Sequence, residues 1–126
     1  MRMKILLVTA KDDTHRKLLL ESQGYEVELA PIADACDRAR LNELALVLIP
    51  TDSGIENTLA CCEKIKGAAP EIRIAVIAER AEYIPPNAAI DAIIRQQHSP
   101  GKFLTAVRRL LDISPLGQSH YAGNGN

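Results

Sequence analysis

Five short apolar runs alternate with more polar segments along this chain, and each run predicts a β-strand. The predicted strands cover residues 3–8, 25–30, 45–50, 72–78 and 92–94. The run 45–50 is apolar throughout and stops at a proline. Such an unbroken run is typical of a strand that helices cover on both faces of a parallel sheet.

Between the runs, apolar residues recur at helical spacing and predict helices. The first helix is expected to begin at residues 12–14 and to end near Gln23, where Gly24 can close it. The second is expected over 32–42 and the third over 55–67. The last should begin at Ser99-Pro100, because proline suits the first position of a helix.

The segment between the fourth and fifth runs has little room for a helix. It contains Pro85 and Pro86, which interrupt any helix that crosses them. We therefore expect the fourth helix to be shortened or lost.

Regular alternation of strands and helices predicts an α/β fold with a parallel sheet and right-handed crossovers. Five strands fit the flavodoxin-like order 2-1-3-4-5 in a three-layer αβα sandwich. In such sheets, ligands bind beyond the carboxyl ends of the strands. The third strand ends at Pro50, whose side chain offers no acid, base or nucleophile.

Composition narrows the class of protein. The 126 residues suit one domain, expected over 1–113, followed by a flexible tail over 114–126 that is rich in glycine. A net charge of -1 and 3% aromatic residues argue against nucleic-acid binding. No apolar stretch is long enough for a membrane span, and three cysteines without a C-x-x-C pair favour a cytoplasmic protein.

Over residues 3–112 the chain resembles a response-regulator receiver domain. The segments KILLV (4–8) and DDTHRKLL (12–19) look like a receiver's first strand and helix. GYEVELA (24–30) looks like its second strand and LVLI (46–49) like its third. SP (99–100) with VRRLL (107–111) looks like its fifth helix.

The same resemblance implies that the phosphorylation site is vacant. The family's two metal-binding acids match Thr9 and Ala10, and its phosphoryl-accepting aspartate matches Pro50. Its Ser or Thr after the fourth strand matches Ala78, and its lysine after the fifth strand matches Gln96 or Gln97. The pattern resembles pseudo-receivers, which keep the fold and signal by protein contact. It implies no enzymatic activity, no metal and no cofactor.

Two alternatives remain open. Asp12, Asp13 and Asp52 lie close to the vacant positions in sequence and could form a displaced phosphorylation site with Asp52 as acceptor. In the simpler interpretation these aspartates cap the first and third helices. Alternatively, the crevice between the small residues at the vacant positions binds an apolar or neutral ligand.

In receivers, the face that contains the fourth helix, the fifth strand and the last helix docks partners. The resemblance therefore implies another signalling protein of a two-component or phosphorelay-type pathway, or a second copy of this chain, as the partner. Shortening of the fourth helix would leave the edge strand less covered. Candidate interface residues are Tyr83, Ile84, Arg95, Phe103, Arg108 and Arg109.

The cysteines and histidines suggest little chemistry. Cys62 shares the apolar stripe of the third helix and is expected in the core, whereas Cys61 lies nearer the boundary and is a candidate reactive thiol. The three histidines are scattered over a helix, a loop and the tail, which disfavours a zinc site.

Overall fold

A computed structural model of the chain describes residues 3–9, 13–41, 43–51 and 54–112. Ala10, Asp12, Asp52 and the predicted tail 114–126 lie outside these residues. The strands and helices predicted from the sequence are present, with ends shifted by one or two residues. They are β1 (Lys4–Val8), α1 (Thr14–Glu21), β2 (Glu26–Ala30), α2 (Ile32–Leu41), β3 (Leu46–Pro50), α3 (Ile55–Ala68), β4 (Arg73–Ala78), β5 (Ala92–Arg95) and α4 (Pro100–Asp112).

The five strands form one parallel sheet in the order β2-β1-β3-β4-β5, which confirms the predicted topology. The central strand β3 pairs with β1 from Leu46 to Leu48 and with β4 from Leu46 to Pro50. All five residues of β3 are buried, as its unbroken apolar run predicted.

Two apolar cores flank the sheet, one on each face. Successive residues of a strand point to opposite faces, so Leu6 and Val8 join one core and Ile5 and Leu7 join the other. Helices α2 and α3 cover the first core, with Ala35, Ala39, Cys62 and Ile65. Helices α1 and α4 cover the second, with Leu20, Phe103, Val107 and Leu110. This arrangement is the predicted three-layer sandwich.

The connection between β4 and β5 contains only a short 3-10 turn, Ala81–Tyr83, among its regular elements. This confirms the expected shortening of the fourth helix. Ile84 and Ala89 from the connection are buried in the first core. They fill space beside the sheet that a complete helix would otherwise cover.

Asp91 joins the start of β5 to β4 and α3. Its backbone N–H donates to the Ile74 carbonyl oxygen at 2.8 Å, and its Oδ2 accepts from the Ile74 N–H at 2.7 Å. The same Oδ2 accepts a hydrogen bond from Lys66 Nζ at 2.7 Å, and Lys66 Nζ also donates to the Ile72 carbonyl at 2.7 Å. One carboxylate therefore fixes the beginning of the last strand.

Helix α4 begins where the sequence predicts. The Lys102 N–H donates to Ser99 Oγ at 3.3 Å, and the Phe103 N–H donates to the Ser99 carbonyl at 2.9 Å. The bond to Ser99 Oγ satisfies one of the donors that a helix start leaves without partners, and the bond to the Ser99 carbonyl is the first backbone bond of the helix. In the described part of the chain, every helix is too short or too polar to cross a membrane.

Candidate functional site at the carboxyl edge of the sheet

The described positions that match the family's phosphorylation site gather at one edge of the sheet. Thr9 directly follows β1, Pro50 ends β3, and Ala78 ends β4. Gln96 follows β5, and its N–H donates to the Ala78 carbonyl at 2.8 Å. Parallel strands end at the same edge of a sheet. These residues therefore lie together at the edge where the resemblance places the phosphorylation site of the family.

Their side chains offer little phosphorylation chemistry. Pro50 is buried and pairs with Ile77 of β4, and Ala78 is 2% exposed. Thr9 is half-buried and contributes a hydroxyl, whereas Gln96 is exposed and contributes an amide. These four side chains include no carboxylate and no amine.

The carboxylate of Asp13 forms an ion pair with Arg16. Its Oδ2 accepts a hydrogen bond from Arg16 NH1, and both side chains are mostly buried. Asp13 stands at the N-cap position of α1 but makes no side-chain capping bond. The predicted capping role of its carboxylate is therefore wrong, because the guanidinium one turn later holds that carboxylate.

Of the proposed acidic cluster, only Asp13 is among the described residues, so the cluster stays a prediction. Asp12 and Asp52 lie outside them, and the N-cap position of α3 is Gly54, whose φ of 96° suits glycine. Over 3–9, 13–41, 43–51 and 54–112, no group of three or more His, Cys, Asp or Glu side chains could hold a metal ion.

Two clefts open at this edge, beside β5. The smaller has a volume of about 250 Å³ and the larger about 650 Å³. Thr9, Pro50 and Ala78 line neither of them. The smaller cleft is lined by Asp13, His15, Arg16, Leu19, Ile77, Arg95, Gln96, His98, Pro100 and Phe103. The larger, called the polar cleft below, is lined by Glu79, Arg80, Glu82, Arg95, Gln97, His98, Ser99 and Lys102.

The unit formed by β5 and α4 carries an excess of positive charge. Arg95, Lys102, Arg108 and Arg109 are all exposed, and the only acid between residues 92 and 112 is Asp112. Within the described residues these four cations form no ion pair, whereas basic residues elsewhere, such as Lys66, do. We call these four residues the basic strip. It gives this unit a local excess of positive charge although the chain as a whole is almost neutral.

Some of the predicted interface residues are buried and others are exposed. Ile84 and Phe103 are each 6% exposed and belong to the two cores, so their side chains are not available to a partner. Arg95, Arg108 and Arg109 are exposed. The backbone of Tyr83 ends the 3-10 turn, and its side chain lies outside the described structure.

The cysteine thiols of α3 are buried. Cys62 is fully buried as predicted, but Cys61 is only 6% exposed. Burial raises the pKa of the Cys61 thiol to about 11 and that of Cys62 to about 12. Both stay protonated at neutral pH, and the thiolate is the reactive form. The prediction that Cys61 is a reactive thiol is therefore wrong.

Comparison with known proteins identifies the fold. No protein-family model and no curated protein matches the chain. Among solved structures, a CheY-like response regulator receiver domain protein from Methanospirillum hungatei is 25% identical, with a TM-score of 0.76. The match covers 89% of this chain and 95% of that one.

Other receiver domains match at lower identity. The receiver domain of a sensor histidine kinase from Pseudomonas aeruginosa, with a magnesium ion in its active-site cleft, is 16% identical. Its TM-score is 0.77, and the match covers 88% of this chain and 98% of that one. The response regulator TrrA from Thermotoga maritima, in complex with Mg²⁺-BeF, is 18% identical with a TM-score of 0.74, over 86% of this chain and 98% of that one. The chain therefore has the fold of response-regulator receiver domains.

Proposed function

We propose that this chain is a receiver-like signalling domain that docks to another protein and is neither an enzyme nor a substrate of aspartyl phosphorylation. The observation that carries the proposal is the buried Pro50 at the end of the central strand. An acyl phosphate requires a carboxylate nucleophile, and magnesium in such sites requires hard oxygen ligands. Thr9, Ala78 and Gln96 supply neither a carboxylate nor a cation.

Phosphorylation is tested by incubating the chain with acetyl phosphate and Mg²⁺ and measuring its intact mass. We expect no covalent phosphoryl group, under conditions that label a competent receiver domain in a parallel reaction. Metal-dependent labelling that maps to Asp52 would contradict the proposal and would establish the alternative with a displaced acceptor. Asp13 is a poor metal ligand in that alternative because Arg16 already holds it.

The docking surface is the basic strip, and its charge favours an acidic partner. Charge complementarity steers association and suppresses wrong partners. A symmetric homodimer through this surface would place identical patches together, so the cations of one copy would meet those of the other. We therefore favour a different, acidic signalling protein over a second copy.

The free thiols of the three cysteines fit a cytoplasmic location.

Reversing the charge of the strip should abolish docking. We expect the double variant Arg108→Glu, Arg109→Glu to bind the partner captured by the wild-type chain at least about tenfold more weakly, because each interface charge becomes repulsive. Binding is measured by titration calorimetry with the purified partner at two salt concentrations. Both residues are exposed, so the variant should keep its circular dichroism spectrum.

Lys64→Glu is the control for this experiment, and it makes half the charge change of the double variant. Lys64 is an exposed residue of α3, on the other face of the sheet, and has no ion pair within the described residues. Its reversal should leave the affinity unchanged. Equal losses in the control and in the double variant would mean that net charge, and not the basic strip, governs binding.

A further inference from the structure

The polar cleft has the size of a small-molecule site and is built from two separate segments. Glu79, Arg80 and Glu82 come from the connection after β4. Arg95, Gln97, His98 and Ser99 come from the end of β5 and the following loop, and Lys102 comes from α4. Its volume of about 650 Å³ lies within the usual range of ligand pockets, roughly 300–1,000 Å³.

Three basic side chains that line the polar cleft have no partner among the described residues. Arg95, His98 and Lys102 make no side-chain hydrogen bond or ion pair with the described residues. Arg95 and Lys102 are cations, and cationic side chains without a paired acid raise the local concentration of anions. Together with the His98 imidazole they offer hydrogen-bond donors to one concavity, and a bound anion would stabilise this arrangement.

The segment after β4 adds two acidic side chains to the polar cleft, together with Arg80, which already has an interaction partner. Glu79 and Glu82 have no ion pair with a described residue. No oxygen of these two glutamates therefore lies within 4.0 Å of a basic nitrogen of the described chain. Arg95 and Lys102 thus share one cleft with two glutamates without pairing with them. A ligand that meets both kinds of side chain must present an anionic group and, separately, hydrogen-bond donors.

We propose that the polar cleft binds a small phosphate ester that carries hydroxyl or amino groups at its other end. A phosphate monoester has three terminal oxygens and a charge between -1 and -2 at neutral pH. It can therefore accept hydrogen bonds from Arg95, Lys102 and His98 together, which a carboxylate with two oxygens does less well. Glu79 and Glu82 accept hydrogen bonds from the remainder of the ligand. Binding is reversible and noncovalent, and it does not require the docking function proposed above.

Ribose 5-phosphate is the probe for this site, with inorganic phosphate and ribose as its two halves. Binding is followed by amide chemical shifts of the full chain. We expect ribose 5-phosphate to cause saturable shifts at both 79–82 and 95–102. Inorganic phosphate should shift 95–102 and bind more weakly, and ribose should cause no saturable shift. The absence of saturable shifts with ribose 5-phosphate, or equal affinity for it and for inorganic phosphate, would overturn the proposal.

Charge-removing variants distinguish binding in the polar cleft from non-specific attraction of the phosphate to basic residues. We expect Arg95→Gln and Lys102→Gln each to weaken ribose 5-phosphate binding about tenfold, which is a typical loss for one charged hydrogen bond. Glu82→Gln should weaken ribose 5-phosphate and leave inorganic phosphate unaffected or bound more tightly. Arg109→Gln is the matched control, because Arg109 lies on α4 outside the cleft. An equal loss in this control would refute a site in the cleft.

Discussion

Replacing Asp91 by alanine is expected to lower the free energy of unfolding by about 3 kcal/mol. The variant loses the carboxylate that accepts from both the Ile74 N–H and Lys66 Nζ. Ile74 is fully buried, and a buried donor without a partner costs about 1–3 kcal/mol. Breaking the ion pair adds to this cost, but less than in a dry interior, since the Lys66 and Asp91 side chains are 21% and 23% exposed.

Urea unfolding followed by circular dichroism measures this loss, and two further variants define its origin. Asp91→Asn keeps an acceptor for the Ile74 N–H and should lose only about 1 kcal/mol. Asp37→Ala removes an exposed ion pair with Arg40 on α2 and should lose less than about 0.5 kcal/mol. If Asp91→Ala were no worse than Asp37→Ala, the start of β5 would not depend on this carboxylate.

An aspartate placed at the end of β3 is expected to destabilise the chain without making it a substrate for phosphorylation. Pro50 is buried beside Ile77. None of the described residues Thr9, Ala78 and Gln96 supplies a positive charge to compensate a carboxylate there, so Pro50→Asp should lose about 3 kcal/mol at neutral pH. Acetyl phosphate with Mg²⁺ should still leave the variant unlabelled, because Thr9 and Gln96 do not supply the remaining groups.

The pH dependence of the stability of Pro50→Asp tests whether the buried charge causes its loss of stability. A buried, unpaired carboxyl group has a higher pKa in the folded than in the unfolded chain, where it is about 3.9. The folded state then binds more protons, so stability falls as the pH rises above about 4. Pro50→Asn has a similar volume and no charge, and its stability should lack this added slope. Parallel pH profiles for the two variants would show that the position is hydrated and tolerates charge.

Local patterns in the sequence predict the fold well because the sheet is buried on both faces. An unbroken apolar run as short as β3 strongly favours a buried strand, and two prolines are enough to predict the loss of a helix after β4. The Asp91 network cannot be predicted in this way. It joins residues 66, 74 and 91, which no local pattern relates to each other.

The wrong predictions at the candidate site also have physical causes. Helical spacing identifies one buried face of a helix, but α3 packs against α2 as well as the sheet, so Cys61 is buried along with Cys62. Asp13 occupies the expected N-cap position, and yet Arg16 competes for its carboxylate. Ile84 resembles an exposed loop residue in sequence, but it fills the core where a helix is missing.

The motif positions of receiver domains do not point to the polar cleft. Of the described residues that line it, only Gln97 matches a motif position, and its amide lacks the charge of the family's lysine. A different signal in the sequence does point to the cleft: Glu79 directly follows β4, and Arg95 and His98 lie at the end of β5 or just after it. Polar residues at the carboxyl ends of parallel strands are the first candidates for a ligand site, whatever the family's own motif requires.

Arg95 and Lys102 belong to both the polar cleft and the basic strip. A phosphate ester that neutralises these two cations removes part of the charge that attracts an acidic partner. Thermodynamic linkage makes such coupling reciprocal, so the factor by which the ligand weakens the partner equals the factor by which the partner weakens the ligand. The fraction of docked protein would then follow the concentration of a metabolite, and docking would be controlled through an equilibrium and without a covalent bond.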